Sequence, residues 1–375
     1  MNWEEKSLDE LGFVSRGRSR HRPRDAEHLY GGIYPFVQTS DVKHAGLYIN
    51  KFSQTYSEAG LAQSKLWKSG TLCITIAANI ADTAILEIDA CFPDSIIGFI
   101  PEPNKADARF IKYLFDARLQ KRFKQFTQGA AQDNLSQSKL LSLKLPVPPI
   151  QIQNKIADIL SRYDEAIANN CRRIELLERS ARLLYKEWFV HLRFPGHEHV
   201  AIGSDGIPEG WARKKLEKVG FLNYGKTLKK GDRQGGKYPV FGSGGIIGTH
   251  DKFLVEAPGI IVGRKGSIGN VFWTDKNYYP IDTTYFINKE QSSLFLYHSL
   301  QNIGFINTDV AVPGLNRDFA HSRELTMPKK QILDLFHEFV DPLYEQISKL
   351  NAINQKLQQA RDLLLPRLMN GEITV

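Results

Sequence analysis

One stretch of this chain is written twice, and that limits what it can fold into more than any other feature. Residues 145–184 recur 180 positions further on without a gap. Leu145, Pro148, Gln151, Glu165, Leu177 and Leu183-Leu184 return as Leu325, Pro328, Gln331, Glu345, Leu357 and Leu363-Leu364. Upstream the offset widens, as insertions would make it: Trp3, Leu8, Gly12-Phe13 and Gly17 match Trp211, Leu216, Gly220-Phe221 and Gly225, and Tyr34-Pro35-Phe36 matches Tyr238-Pro239-Val240. A repeat on this scale means one unit folded twice, each copy a variable domain followed by a better-matched tail.

Both tails read as long helices. Ile152, Ile156, Ile159, Tyr163, Ile167, Ile174, Leu177, Ala181, Leu184 and Trp188 recur at mostly three- and four-residue steps. Ile332, Phe336, Phe339, Leu343, Ile347, Leu350, Ile353, Leu357, Ala360, Leu364 and Leu368 do the same. A single such stripe is ordinarily a core helix. Two of equal length in repeat register, each held over about five heptads, predict a coiled-coil pair within one chain. At about 1.5 Å per residue, some forty helical residues span roughly 60 Å. Pro148, Pro149 and Pro328 stand where a helix start tolerates proline. Pro342 falls inside the second stripe and predicts a kink or a short turn before it.

The segments 1–147 and 208–327 read as α+β. Runs at 71–76, 84–88, 260–263, 271–273 and 284–287 look like strands between Gly- and Pro-rich turns, with a helix expected near each domain's end at 106–126 and 292–302. Residues 191–207 have the composition of a linker. With 375 residues, 42% apolar and 24% charged, each half can bury its own core. Lys and Arg number 49 against 41 Asp and Glu, a net +8 that permits a polyanionic partner without requiring one. Cys73, Cys91 and Cys171 are too scattered for a CxxC metal site and fit a reducing cytosol. The longest apolar stretch, near 71–80, falls far short of the roughly 20 residues a membrane span needs. The acidic, polar start does not read as a signal peptide. The expectation is a cytoplasmic chain with no membrane partner.

Several catalytic motifs are imitated and fail on their surroundings. Gly220 to Thr227 spells GxxxxGK[ST], but a phosphate loop must be small-residue-rich and open a helix, and this one is bulky and runs into Lys229-Lys230-Gly231-Asp232. Val240-Phe241-Gly242-Ser243-Gly244 and Asp341-Pro342-Leu343-Tyr344 imitate an amino-methyltransferase, but the second proline is missing and Asp341 lies in the heptad stripe. Pro239 also argues against a central strand before that glycine loop. No carboxylate cluster suits a metal-dependent nuclease, and His197-Glu198-His199 lacks a third ligand. The chain reads as non-catalytic, without metal or cofactor of its own.

What survives is basic and loop-borne. Arg16, Arg18, Arg20, Arg22 and Arg24 alternate along an extended run, which projects them to one side as a strip for phosphates or guanine edges. The second copy has Lys226, Lys229, Lys230, Arg233 and Lys237 in the same place. Either run alone is ordinarily a solvated loop; recurrence in both copies argues for nucleic acid. Gly263-Arg264-Lys265-Gly266-Ser267 adds a tight turn that brings two cations close to a polyanion. Its counterpart, 77–80, carries Asn79 and no charge, so the two domains should read different features. Lys43 and Ser243 complete the candidate contacts.

On these residues the chain resembles the specificity (S) subunits of type I restriction–modification systems, over essentially its whole length. The resemblance rests on the Trp-led starts at Trp3 and Trp211, the run from Thr75 to Leu86, and the glycine-rich runs from Val240 to Gly248 and from Val262 to Gly269. It rests also on the paired helix starts after Leu145 and Leu325. It implies two α/β target recognition domains, 1–147 and 208–327, related by a pseudo-two-fold. It implies too an antiparallel two-helix spacer, 148–190 and 328–372, with Ile152, Ile156, Ile159, Tyr163, Leu177 and Leu184 facing Ile332, Phe336, Phe339, Leu343, Leu357 and Leu364. It further implies a split, asymmetric double-stranded DNA target with half-sites roughly one turn, ~34 Å, apart. Two methyltransferase (M) subunits and restriction (R) subunits would dock, and S-adenosylmethionine, ATP and magnesium would belong to them. The competing readings are an orphan DNA methyltransferase or methyltransferase-nuclease, and a coiled-coil scaffold with no DNA role.

Overall fold

The computed structural model describes residues 3–77, 80–119, 136–233, 235–307 and 314–375. The chain divides into two compact units, Met1–Arg172 with Asn351–Val375, and Arg173–Leu350.

The first unit runs β1 (Glu4–Lys6), α1 (Leu8–Leu11), β2 (Gly12–Arg16), β3 (Tyr30–Phe36), α2 (Thr39–His44), β4 (Tyr48–Ile49), β5 (Gln54–Tyr56), α3 (Glu58–Ala62), β6 (Leu66–Trp67), β7 (Leu72–Thr75), β8 (Thr83–Leu86), β9 (Ala90–Cys91), β10 (Ile96–Pro101), α4 (Ala108–Leu114), α5 (Gln137–Leu141), β11 (Leu145–Val147), and then α6 (Ile150–Tyr185). Its sheets are ordered β2-β10-β7-β8-β4, β5-β3-β9-β6 and β1-β11. Every residue of β7 and β8 is buried, as in a sheet covered on both faces, which is why these strands read as apolar runs without alternation. The core joins Leu72, Ile74, Phe99 and Phe110 to Ile156 and Leu160 of α6 and to Leu368 and Met369 near the end of the chain.

The second unit contains the end of α6, a π-helical turn at Lys186–Val190, β12 (Ala212–Lys215), α7 (Leu216–Val219), β13 (Asn223–Tyr224), β14 (Tyr238–Gly242), β15 (Gly245–His250), β16 (Gly259–Gly263), β17 (Val271–Thr274), β18 (Tyr279–Pro280), β19 (Thr284–Ile287), α8 (Leu294–Ile303), α9 (Arg317–Ser322), β20 (Glu324–Met327) and the start of α10 (Lys330–Met369). The repeat is visible in the wiring. The order β13-β19-β16-β17 restates β2-β10-β7-β8, and β12 pairs with β20 as β1 pairs with β11. The parallel pairing of β3 with β9 returns between β14 and β18.

Three expectations need correction. The helix expected over 106–126 starts at Ala108, with Asp107 as its cap, and passes into a π-helical turn at Phe115–Leu119; residues 120–126 lie outside the described residues. Pro239 does not exclude a central strand: β14 lies between β15 and β18, and its pairing with β18 starts at Val240, past the proline. Pro342 does not bring a turn: α10 is one helix from Lys330 to Met369, and Glu338, whose carbonyl loses an amide partner there, is exposed to water.

The seam of α10 also differs from the apolar stripe. Phe336, Val340, Leu343, Ile347, Leu350, Asn354, Leu357, Arg361, Leu364 and Leu368 follow alternating four- and three-residue steps, and all are buried or half-buried. Phe339, assigned to the stripe, is 55% exposed and only flanks the seam at Trp188, because Val340 takes the inward position. Ile353 is likewise exposed beside buried Asn354. Within the first unit the two helices pair antiparallel: Asn170 Nδ2 donates to Asn354 Oδ1 at 2.9 Å, and Arg361 Nη1 donates to Asp164 Oδ1. Tyr113 Oη donates to the other oxygen of Asp164 at 2.5 Å. Within the second unit the same direction brings Trp188 and Phe189 onto Phe336, with ring centres 6.0 and 5.0 Å apart. Ile156 is buried, while Ile152, Ile159, Tyr163, Leu177, Leu184 and Ile332 are half-buried along the same faces.

Candidate nucleic-acid interface

The arginine run is a strap held down through its backbone at Gly17, Arg18, Arg20 and His21. β2 delivers the chain to Gly17, where a Cβ would lie 2.3 Å from the Pro93 carbonyl oxygen, so only glycine lets the backbone pass. Gly17 N donates to Ile96 O at 2.8 Å and Arg18 N to Phe92 O at 3.0 Å. Gln63 Oε1 then accepts from Arg20 N at 2.6 Å and His21 N at 3.0 Å, while Ser64 Oγ donates to Arg18 O at 2.8 Å. Gly17 and Ser19 are buried, and Arg16, Arg18, Arg20, Arg22 and Arg24 are exposed. Three of the five are partly committed. Arg16 Nε donates to Asp94 O at 2.9 Å, Arg24 pairs with the Asp94 carboxylate at 3.0 Å, and Arg22 Nη1 donates to Ser19 O and His21 O. The guanidiniums of Arg18 and Arg20 have no hydrogen bond or ion pair among the described residues.

Beside the strap lies a cation that the sequence did not single out. Lys65 Nζ sits 3.7 Å from the Trp67 ring centre and 4.7 Å from that of Phe13, which is 53% exposed. Burial, and then the positive charge of Arg18, push the Lys65 ammonium below its ordinary range. A site whose cations repel one another in this way favours an incoming polyanion. Lys43 is elsewhere: it lines a cavity of about 310 Å³ with Asp82, Asp116 and Asp362, a wall of mixed charge. Asn79 lies outside the described residues.

The second unit repeats the strap. A Cβ on Gly225 would lie 2.2 Å from Ile281 O; Gly225 N donates to Thr284 O at 3.1 Å and Lys226 N to Pro280 O at 3.0 Å. Lys226, Lys229, Lys230 and Lys237 are exposed. Arg233 is not free to reach out, because its Nε and Nη2 both donate to Leu228 O, at 2.9 and 2.5 Å, closing the loop on itself. The Arg264 turn is pinned close by: Arg264 N and Lys265 N donate to Thr283 O, and Leu315 N donates to Arg264 O at 2.9 Å. Ser243, at the tip between β14 and β15, abuts that turn, its Oγ 3.6 Å from the position of a Cβ on Gly266. Arg264 lies 5.0 Å from the ring centre of exposed Tyr224, and Arg317 lies 4.8 Å from the same ring. Arg317, Tyr224 and Phe221 were missed in the sequence, where no spacing links them. Leu222 N donates to His321 Nε2 at 3.0 Å, and burial followed by Arg317 pushes that imidazole below its ordinary range, so it stays a neutral acceptor.

No group of three metal-ligating side chains occurs among the described residues, and no described helix is long and apolar enough to cross a membrane. His197 and His199 are exposed on a short 3-10 turn.

Comparison with known proteins adds to this geometry. The family model described as type I restriction modification DNA specificity domain matches residues 1–179 and again 208–359. The chain is 23% identical to the type I restriction enzyme MjaIX specificity subunit of Methanocaldococcus jannaschii, over 100% of this chain and 94% of that one. It is 24% identical to the HindI specificity subunit of Haemophilus influenzae, over 99% and 100% of the two chains. Among solved structures, the type I S subunit from M. genitalium superposes with a TM-score of 0.59 at 19% identity, covering 98% of this chain and 96% of that one.

Proposed function

The chain belongs to the family of type I restriction modification DNA specificity domains, and from that membership and the two straps we infer that each unit reads one half of a split DNA target. It is a sequence-recognition subunit, and the chemistry of such a system is carried by its other subunits. The observation that supports the division of labour is the same construction made twice: a glycine pressed onto a carbonyl, then a pinned backbone with cations facing out. On this reading Arg18, Arg20, Lys229 and Lys230 neutralise phosphates and set the register, while Arg264 and Lys265, on their rigid turn, approach base edges. Two M subunits and the R subunits dock on the same chain in the cytoplasm and bring S-adenosylmethionine, ATP and magnesium with them.

The test is a DNA titration of the chain with its M subunits at several salt concentrations. Arg18→Ala with Arg20→Ala should weaken binding to every sequence and lower the salt slope by ~0.9 for each phosphate that is no longer neutralised. An unchanged slope would remove the strap from the interface.

A further inference from the structure

Tyr224 presents an exposed ring with a guanidinium close to it from each of two different elements. Arg264 comes from the turn after β16 and Arg317 from the first turn of α9. Both elements are fixed. The turn is hydrogen-bonded to Thr283 O, and Asn316 caps α9, its Oδ1 accepting from Phe319 N at 3.0 Å. Neither arginine forms an ion pair among the described residues; Arg264 Nη1 spends one hydrogen on Asp282 O at 3.1 Å, and Arg317 Nε is buried with no acceptor. Two like charges held on one ring without a carboxylate lack a counter-charge that the free protein does not supply. The ring lies within cation–π reach of both guanidiniums, which limits where the two forks can swing and leaves donors unused.

The position is also where the two copies part. The repeat puts Tyr224 opposite Arg16, whose Nε is used on Asp94 O, so at this position the first unit has a tethered guanidinium where the second has a ring. Phosphate binding needs charge alone, and the straps already provide it. A pair of guanidinium forks held on one aromatic ring matches instead the paired acceptors O6 and N7 of guanine.

We propose that Arg264, Tyr224 and Arg317 form the base-reading element of the second unit, and that its half of the target contains a guanine read by Arg317. This rests on the DNA-reading function proposed above. The experiment uses the full chain assembled with its M subunits, methylating a randomised DNA library, for wild type and for Arg317→Ala, Arg317→Lys and Tyr224→Leu; thermal melting and M-subunit binding serve as controls. Arg317→Ala and Arg317→Lys should both cut methylation of the parent motif about 5- to 150-fold and relax one G·C position in one half only. Tyr224→Leu, which frees both forks, should relax the same half. A parent motif kept intact at every position would overturn the proposal, as would rescue by Arg317→Lys of a loss uniform over all sequences, since that marks a phosphate contact. If the wild-type assembly shows no sequence preference at all, the DNA-reading function itself has failed, a result distinguishable from either.

Discussion

Gly17 and Gly225 carry more of the interface than their lack of a side chain suggests. Each sits where a Cβ would meet a carbonyl oxygen within 2.3 Å, so Gly17→Ala or Gly225→Ala must push the strap off the sheet. Each should cost about 1–3 kcal/mol in a denaturant melt, the scale of a small overpacking, and should lower DNA affinity more than removal of the Arg18 side chain alone. A neutral Gly225→Ala would show that the strap is not held as described. The alternation of arginines was legible in the sequence because buried Gly17 and Ser19 separate them. Lys65 was not legible: it is one lysine between Ser64 and Leu66, and only the fold lays it over Trp67 and Phe13. Arg233 was legible as a charge but not as a clamp, since its partner is a backbone carbonyl. His298 gives a pH signature. Burial pushes its imidazole down to about 4 from an ordinary 6.5, so the fold holds it neutral. That stability is complete above about 6.5 and is lost as pH falls toward 4, on the order of 3 kcal/mol in all. Melting curves between pH 7 and 4 should show the loss, and His298→Gln should flatten it.

At the scale of elements, the long helices were readable as helices but not in their exact facing. An apolar stripe counts only apolar residues, so it drifts to Ile353 and Ala360, whereas the folded seam admits Asn354 and Arg361. Those polar positions pair with Asn170 and Asp164, and Asp164 is further held by Tyr113. The counterpart of Asp164 in the repeat is Tyr344, whose Oη lies 3.3 Å from His298 Nε2, so the same site is ionic in one unit and aromatic in the other. Polar pairs in a coiled-coil seam fix register at some expense in stability. Arg361→Ala should therefore destabilise by about 2–4 kcal/mol, somewhat below the figure for a fully buried pair because Arg361 keeps 27% of its side chain in solvent. Asp164→Asn with Arg361→Leu removes both charges while an amide oxygen still accepts from Tyr113 Oη, and should recover part of that stability. Additive effects in this double-mutant cycle would mean that the pair does not act as a unit.

For the whole molecule, the repeat made the architecture readable from the sequence before any geometry was known: two domains, two helices, one wiring plan. It showed that the copies differ at the turn 263–267 against 77–80, and left hidden that Tyr224 and Arg317, far apart in sequence, gather around Arg264. The repeat also makes a prediction. In a fragment covering residues 1–196, α6 has no mate within its own chain and can pair only with a second copy of itself. The observed register would then set Asn170 against Ile174 and Asp164 against Ala181, the repeat equivalents of Asn354 and Arg361. Such a dimer should form weakly, read a palindrome built from the first half-site twice, and be strengthened by Ala181→Arg, which restores the ion pair on both sides. Sedimentation of the two fragments with M subunits checks the order of stability. The central claim, that this chain decides which DNA sequence is modified, is tested most directly by a methylome. The chain and its M subunits are expressed in a host without adenine methylation, and modified adenines are mapped genome-wide with and without the chain. The account predicts one split, asymmetric motif that vanishes when the chain is omitted; methylation that persists without it, or that falls on an unbroken motif, would contradict it.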